Sequence, residues 1–521
     1  MPDKRDATPS RGPGNHLLLV LAAALGALVP AYWLDGGTNL RPSRVLGPVG
    51  LPGTASADLD NRAAEAVTPR PTARPTVTPA AASSSAPSPN KKIAAADSRP
   101  AANPAASNTA AAPVTEATKV KPSPAPTASA SSPAPANTAG NAAGRAVKAI
   151  PVLPIDGVEH LRPFFNALAR SDRTAPVRVL HYGDSTLAGD GIAKTVRQRL
   201  KAEFGDGGPG FFVAGMDPRW MRRDDVRVTR SGEWDIFTIL NGGNQGRYGL
   251  GGIVAKPRGA AAVQLAPARS GQALGHRLEV YTQKPRKPEA IRAQINGAAS
   301  AITRRIEHST FDQWVIEHDQ PIVSSTLQIG EAGLEVYGLV LEASRGISWE
   351  TTAVVGIASG SIRQFNADHL AEQTRVRNPD LIVVMIGGND AGSAGILAGD
   401  GKSYREGFMR AIKVLRRGAP QAACLLMSPL DQATLGDDGR IYSKKTMARL
   451  VELQRQASEE LGCAFWNSWQ FMGGQNSFAR WLDQGLAWTD LMHLTEKGLN
   501  RIGQGLSEAL LASYEQQRRG Q

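Results

Sequence analysis

The chain has 521 residues and a formal net charge of +12, a length that admits two or three domains. The positive excess is spread thinly: residues 41–150 carry +7, residues 1–40 balance, and the remainder carries only +5. With no dense Lys/Arg block, no nucleic-acid partner is expected, and the charge permits at most a diffuse attraction to an anionic polymer such as cell wall or lipid headgroups.

The first element in chain order is an uncharged run, Leu17 to Leu34, of 18 residues, near the lower limit for a membrane-spanning helix. Lys4, Arg5 and Arg11 precede it, diluted by Asp3 and Asp6. That polarity expects a short cytoplasmic tail (1–16), a single pass through the inner membrane (17–34) and the bulk of the chain in the periplasm or outside the cell. A cleaved signal peptide is the rival reading. No small-x-small cleavage site follows the run, and Tyr32 and Trp33 suit interfacial anchors, so an uncleaved signal-anchor is preferred. Residues 35–150 are a Pro/Ala/Ser/Thr-rich segment with almost no aromatics (TPRPTARPTVTP, KPSPAPTASASSPAPA). Such sequence has too little apolar surface to offset its ordering entropy and predicts a disordered tether. A coil of that length spans on the order of 60 Å.

From residue 151 the composition becomes that of a folded core. Val177–Tyr182 (VRVLHY) predicts a strand ending at Gly183-Asp184-Ser185, followed by a helix over Ile192–Phe204. The stretch 211–344 then breaks the alternation. Glycine clusters give way to short strand-like segments at 261–265, 276–281, 291–295, 314–317, 324–329 and 334–341, a pattern that predicts an inserted β-sandwich. Trp234 and Tyr248 within it look like exposed aromatics able to stack on sugars. Alternation resumes with strands at Leu381–Ile386, Ala423–Met427 and Ala464–Trp466 and helices at 404–417, 444–461 and 496–514. Residues 151–210 and 345–521 therefore predict one α/β domain with a parallel sheet, whose ligands bind beyond the carboxyl ends of its strands. Cys424 and Cys463 have no metal-site spacing and read as two buried thiols, with a disulfide chemically open if the domain is exported.

The chemistry-bearing residues fall at that carboxyl end. A serine hydroxyl needs a base, the base needs an acceptor that fixes its tautomer, and the transition state needs donors aimed at a developing oxyanion. Ser185 follows the first strand, Asn389 follows LIVVMI within Gly387-Gly388-Asn389-Asp390, and Asp490 and His493 share one loop before the last helix. Singly, each has a plain structural explanation: a helix cap, a turn or a surface loop. Asp190, for instance, reads equally well as the start of the helix at Ile192.

Together the blocks HYGDST (181–186), IGGND (386–390) and WTDLMH (488–493) resemble the GDSL/SGNH hydrolases, with Thr186 where the family name has leucine. The resemblance covers about 177–512, interrupted by the insert. It implies a flavodoxin-like sheet and Ser185 as nucleophile, with His493 as base oriented by Asp490. It also implies an oxyanion hole from Ser185 and Asn389 plus a second-block glycine in VVGIASGSI (354–362), Gly360 in preference to Gly356. No metal and no cofactor is implied. Gly189-Asp190 followed by Lys194, Arg197 and Arg199, together with Tyr248-Gly249-Leu250-Gly251-Gly252, resembles exported peptidoglycan O-acetylesterases. In that branch the insert is a carbohydrate-binding-like domain and acetylated wall polysaccharide the partner. The expected activity is removal of O-acetyl groups from an extracytoplasmic polysaccharide. A polysaccharide O-acyltransferase with the same triad and a non-catalytic wall-binding protein remain the alternatives.

Overall fold

The computed structural model describes residues 151–520 except Ser171, 215–220 and Pro288. The expected transmembrane segment and linker lie outside the described residues. Among those described, no helix is long and apolar enough to cross a membrane.

The chain enters through α1 (Arg162–Ala169), β1 (Val177–Gly183), the single turn α2 (Ser185–Ala188) and α3 (Gly191–Phe204). β1 is buried at nearly every position because it is an interior strand of a sheet covered on both sides. The added region follows as β2 (Gly210–Phe212), β3 (Val226–Ser231), β4 (Trp234–Thr238), β5 (Ile253–Pro257), β6 (Ala261–Pro267) and β7 (Arg277–Thr282). It continues with β8 (Ile291–Ile295), β9 (Ala298–Ser300), β10 (Arg304–Glu307), β11 (Asp312–Glu317), β12 (Ser325–Ile329) and β13 (Val336–Glu342). The parallel sheet resumes with β14 (Ile347–Ala353), then α4 (Ala367–Arg377), β15 (Leu381–Met385), α5 (Lys402–Arg416) and β16 (Ala423–Met427). A hairpin of β17 (Ala433–Leu435) and β18 (Ile441–Ser443), α6 (Met447–Leu461), β19 (Ala464–Trp466) and α7 (Glu496–Arg519) complete the order.

The five parallel strands lie in the order β14-β1-β15-β16-β19, which in chain order is 2-1-3-4-5, the flavodoxin-like arrangement. The order reverses between β1 and β15, which pair directly from Val179–Leu381 to Gly183–Met385. The residues just beyond these two strand ends therefore become neighbours, and they include Ser185 and Asn389.

The added strands form two antiparallel sheets, β10-β11-β7-β13-β5-β4 with β2 on β13, and β3-β6-β12-β8-β9. Alternation explains their packing. Val263, Leu265, Ile291, Ile295 and Leu327 from the smaller sheet share one core with Leu278, Val280, Trp314, Leu339 and Leu341 from the larger. The larger sheet's other face, with Phe211, Tyr281, Tyr337 and Val340, belongs to the core of the α/β domain. Both faces of that sheet are thus buried. Charges cross this junction as well: Glu342 of β13 takes Arg178 of β1 at 2.8 Å, and Arg377 of α4 bridges Glu342 and Glu350 of β14. Burial alone would raise the Glu342 carboxyl, but Arg377 and then Arg178 outweigh it and hold it down to about 2.

Two expectations are corrected. Tyr248 is fully buried, edge-on to Phe365, because it fills the junction between the added sheets and the α/β core. Trp234 is only half-exposed, and its indole N–H is satisfied by the Ser231 carbonyl at 3.0 Å. The two cysteines are not free thiols: Cys424 in β16 and Cys463 just before β19 lie 4.7 Å apart at Cα and form a disulfide. Adjacent parallel strands put them within bridging distance.

Candidate active site

The turn after β1 is built for one side chain. A Cβ on Gly183 would lie 2.6 Å from the Leu187 side chain, so only glycine lets the strand fold directly into α2. Asp184 caps that turn by accepting the Thr186 N–H at 2.9 Å, which leaves Ser185 as the first helical residue, half-buried with its hydroxyl available. Burial pushes the Asp184 carboxyl above its ordinary range.

The partner loop is closed by the pairing of Ala487 with Leu494 and by the Trp488 N–H donating to the His493 carbonyl at 2.8 Å. Within it, Asp490 Oδ1 accepts the N–H groups of Met492 and His493, each at 2.9 Å. Asp490 Oδ2 lies 2.7 Å from His493 Nδ1, and His493 Nε2 lies 2.9 Å from Ser185 Oγ. An ionised carboxylate can only accept, so Nδ1 carries the proton and Nε2 presents its lone pair to the serine hydroxyl. Burial raises the Asp490 carboxyl, but the His493 ring and the backbone donors outweigh it, and the net shift is downward. Leu491 makes this geometry possible with φ of +61°, a conformation a branched side chain adopts only under constraint. Its carbonyl is held by the Ala433 N–H at 2.8 Å.

Beyond β15, Gly388–Asp390 form a tight turn. Asn389 donates its side-chain amide to the Ile357 carbonyl at 2.9 Å, which sets it against the second-block loop. Asp390 accepts from both the backbone N–H and the hydroxyl of Ser359, the latter at 2.9 Å, and burial raises its carboxyl. Of the two second-block glycines, Gly360 sits next to this anchored serine, is exposed, and a Cβ there would meet nothing within 4 Å. Gly356 has φ of +87° and serves the turn itself. Gln432 donates to the Gly388 carbonyl at 3.0 Å and accepts from Lys444 Nζ at 2.7 Å.

Ser185, His493 and Asp490 thus form one continuous hydrogen-bonded chain, with Asn389 at the adjoining strand end. Asp190 does not act as a side-chain cap. With φ of +64° it turns its carboxylate to Arg197 at 2.7 Å and to the Asp224 N–H at 2.9 Å. The supporting roles of Asp390 and Gln432 escaped the sequence reading. The first lay in plain view in GGND, whereas nothing in the sequence marked the second.

Residues 328–500 match the GDSL-like lipase/acylhydrolase family. Over those residues, a third of the chain, the sequence is that of a GDSL-like acylhydrolase. Carboxylic-ester hydrolysis is the chemistry of that class. The match starts in β12 of the added region and ends in α7, so it contains Asn389, Asp490 and His493, whereas Ser185 precedes it. Only the fold returns the serine to the acylhydrolase domain. A solved structure of a peptidoglycan O-acetylesterase is 22% identical, with 69% of this chain and 96% of that chain covered and a TM-score of 0.56. At that identity the likeness is one of fold. An acetylxylan esterase from Geobacillus stearothermophilus, solved as a catalytic mutant, is 18% identical over 33% of this chain and 73% of that chain, with a TM-score of 0.22. Another acetyl xylan esterase is 15% identical over 32% of this chain and 81% of that chain, with a TM-score of 0.24. No curated protein sequence matches the chain.

Proposed function

We propose that the protein is a serine esterase that removes O-acetyl groups from an extracytoplasmic polysaccharide, with peptidoglycan the favoured substrate. The observation that carries the reading is the chain Ser185 Oγ, His493 Nε2, His493 Nδ1, Asp490 Oδ2, each link at 2.9 Å or less. In this proposal His493 takes the Ser185 proton as Oγ bonds to the acetyl carbonyl carbon. The charge that develops on the carbonyl oxygen is received by the Asn389 amide and the N–H groups of Ser185 and Gly360. Collapse breaks the bond to the sugar oxygen, which leaves with the proton from His493. Water then gives its proton to His493 and attacks acetyl-Ser185, acetate departs, and the serine regains its hydrogen.

The substrate assignment is supported by three further features. The solved neighbour of similar fold is a peptidoglycan O-acetylesterase. A Cys424–Cys463 disulfide suits an oxidising compartment. The Leu17–Leu34 run and the Pro/Ala-rich residues 35–150 suit a membrane anchor and tether that let the domain search a wall polymer. In this reading the two-sheet region, 211–344, serves as a carbohydrate-binding-like insert. The test is the full chain with O-acetylated and chemically de-acetylated peptidoglycan, acetate and acetylated glycan being quantified. Acetate release from the acetylated polymer alone is expected. Transfer of acetyl to added glycan without free acetate, or unchanged polymer, would contradict the esterase assignment.

A further inference from the structure

Most of the apolar side chains are inside the fold, so those left outside are informative. Among the described residues eight large hydrophobic side chains are exposed, and four of them lie on two loops that are joined to each other. Trp488 (42% exposed) and Met492 (36%) flank Asp490 in the loop that carries His493. Leu435 (65%) and Tyr442 (39%) stand on the β17–β18 hairpin. The Ala433 N–H to Leu491 carbonyl bond ties that hairpin to the histidine loop. A fifth, Leu240, comes from the added region and lies 3.4 Å from where a Gly356 side chain would begin. Their gathering on the loop of Asp490 and His493 and on the hairpin tied to it separates this set from the scattered exposed residues that need no explanation.

Trp488 is the informative member. Its backbone is fixed, since its N–H donates to the His493 carbonyl and its carbonyl accepts the Leu491 N–H at 3.3 Å. Its indole N–H has no acceptor and no ring stacks on it among the described residues. Tyr442 is likewise held, by its hydroxyl donating to Asp438 at 2.6 Å, with its ring over Gly436. Both loops thus present an exposed aromatic ring on a backbone held by hydrogen bonds. A long acyl chain would leave the indole donor unsatisfied and calls for an enclosed apolar channel. A pyranose ring instead offers a C–H face to stack on and hydroxyls for the indole N–H.

We propose that Trp488 is the platform for a sugar ring of the glycan chain whose acetyl group is presented to Ser185. The inference rests on the proposed esterase reading and adds the residue that makes it prefer a glycan over a small ester. Trp488 is a binding residue here and takes no part in proton transfer.

The test uses the full chain as wild type, Trp488→Ala and Trp488→Phe. The quantity read is the ratio of kcat/KM for acetate release from O-acetylated peptidoglycan strands to kcat/KM for p-nitrophenyl acetate. Loss of one stacked ring lowers that ratio about tenfold in Trp488→Ala, through KM, and phenylalanine restores most of it. An equal fall on both substrates would make Trp488 a mere support of the loop and overturn the proposal. A selective loss on p-nitrophenyl octanoate would make the rim an acyl-chain site and overturn it too. Wild-type release from glycan with an unchanged ratio in the alanine variant would remove the platform and leave the esterase reading standing. No release by the wild type from glycan, with p-nitrophenyl acetate still cleaved, would remove both.

Discussion

Asp490→Asn separates the carboxylate's role from that of the loop it holds. Oδ1 accepts two backbone N–H bonds at 2.9 Å, and an asparagine carbonyl in the same place accepts both. Oδ2, 2.7 Å from His493 Nδ1, becomes an amide donor. A donor there requires Nδ1 to accept, which moves the ring proton to Nε2, the atom 2.9 Å from Ser185 Oγ. The base is then blocked while its position is kept. We predict a melting midpoint within a few degrees of wild type and a kcat on p-nitrophenyl acetate about 10⁴-fold lower, equivalent to about 5.4 kcal/mol of barrier. Steady-state turnover and calorimetry on the same preparations measure both quantities. A variant with an unchanged melting midpoint and kcat within about tenfold of wild type would refute the tautomer argument.

Asn389→Ala should lower kcat by roughly 10²–10³ with KM nearly unchanged, since the amide matters once charge develops; full kcat on a small acetyl ester would remove Asn389 from the oxyanion hole. Replacing Cys424 and Cys463 together by serine opens a sequence separation of 39 residues, for which chain entropy alone gives about 4 kcal/mol. A double variant as stable to denaturant as wild type would show the bond to be dispensable. Glu342 falls from an ordinary 4.5 to about 2 on folding. Its stabilisation is therefore complete above the ordinary value and lost as pH falls through about 2. The gap in melting midpoint between wild type and Glu342→Gln should narrow over that acid range, and a gap constant with pH would contradict the ion-pair account.

The parallel sheet was legible where its strands are purely apolar. Leu381–Met385, Ala423–Met427 and Ala464–Trp466 stand within a residue of their expected places. β14 was not legible, because Ser348, Glu350, Thr351 and Thr352 make a fully buried strand look like a loop. Their burial depends on partners far away in sequence, Arg377 for Glu350 above all. α4 hides for the same reason: its inward face is His369, Gln373, Thr374 and Arg377 rather than an apolar stripe. Tyr248 misled in the opposite sense, since a glycine-rich neighbourhood suggests a surface loop, whereas here glycines let two layers close. A Cβ on Gly249 would collide with the Tyr337 carbonyl. At the site, the residue types and their order along the chain suggested a triad. The support from Gln432 and the anchoring of the Gly360 turn by Asp390 depend on loops brought together only by the fold.

The central claim is that Ser185 carries the acetyl group between substrate and water. Rapid acid quench of the full chain during turnover of an acetyl ester, followed by peptide mapping, tests it most directly. The account predicts one acetyl group on the peptide that contains Ser185, and neither label nor turnover in Ser185→Ala. Acetyl found on another residue, or a Ser185→Ala chain that releases acetate at the wild-type rate, would contradict it.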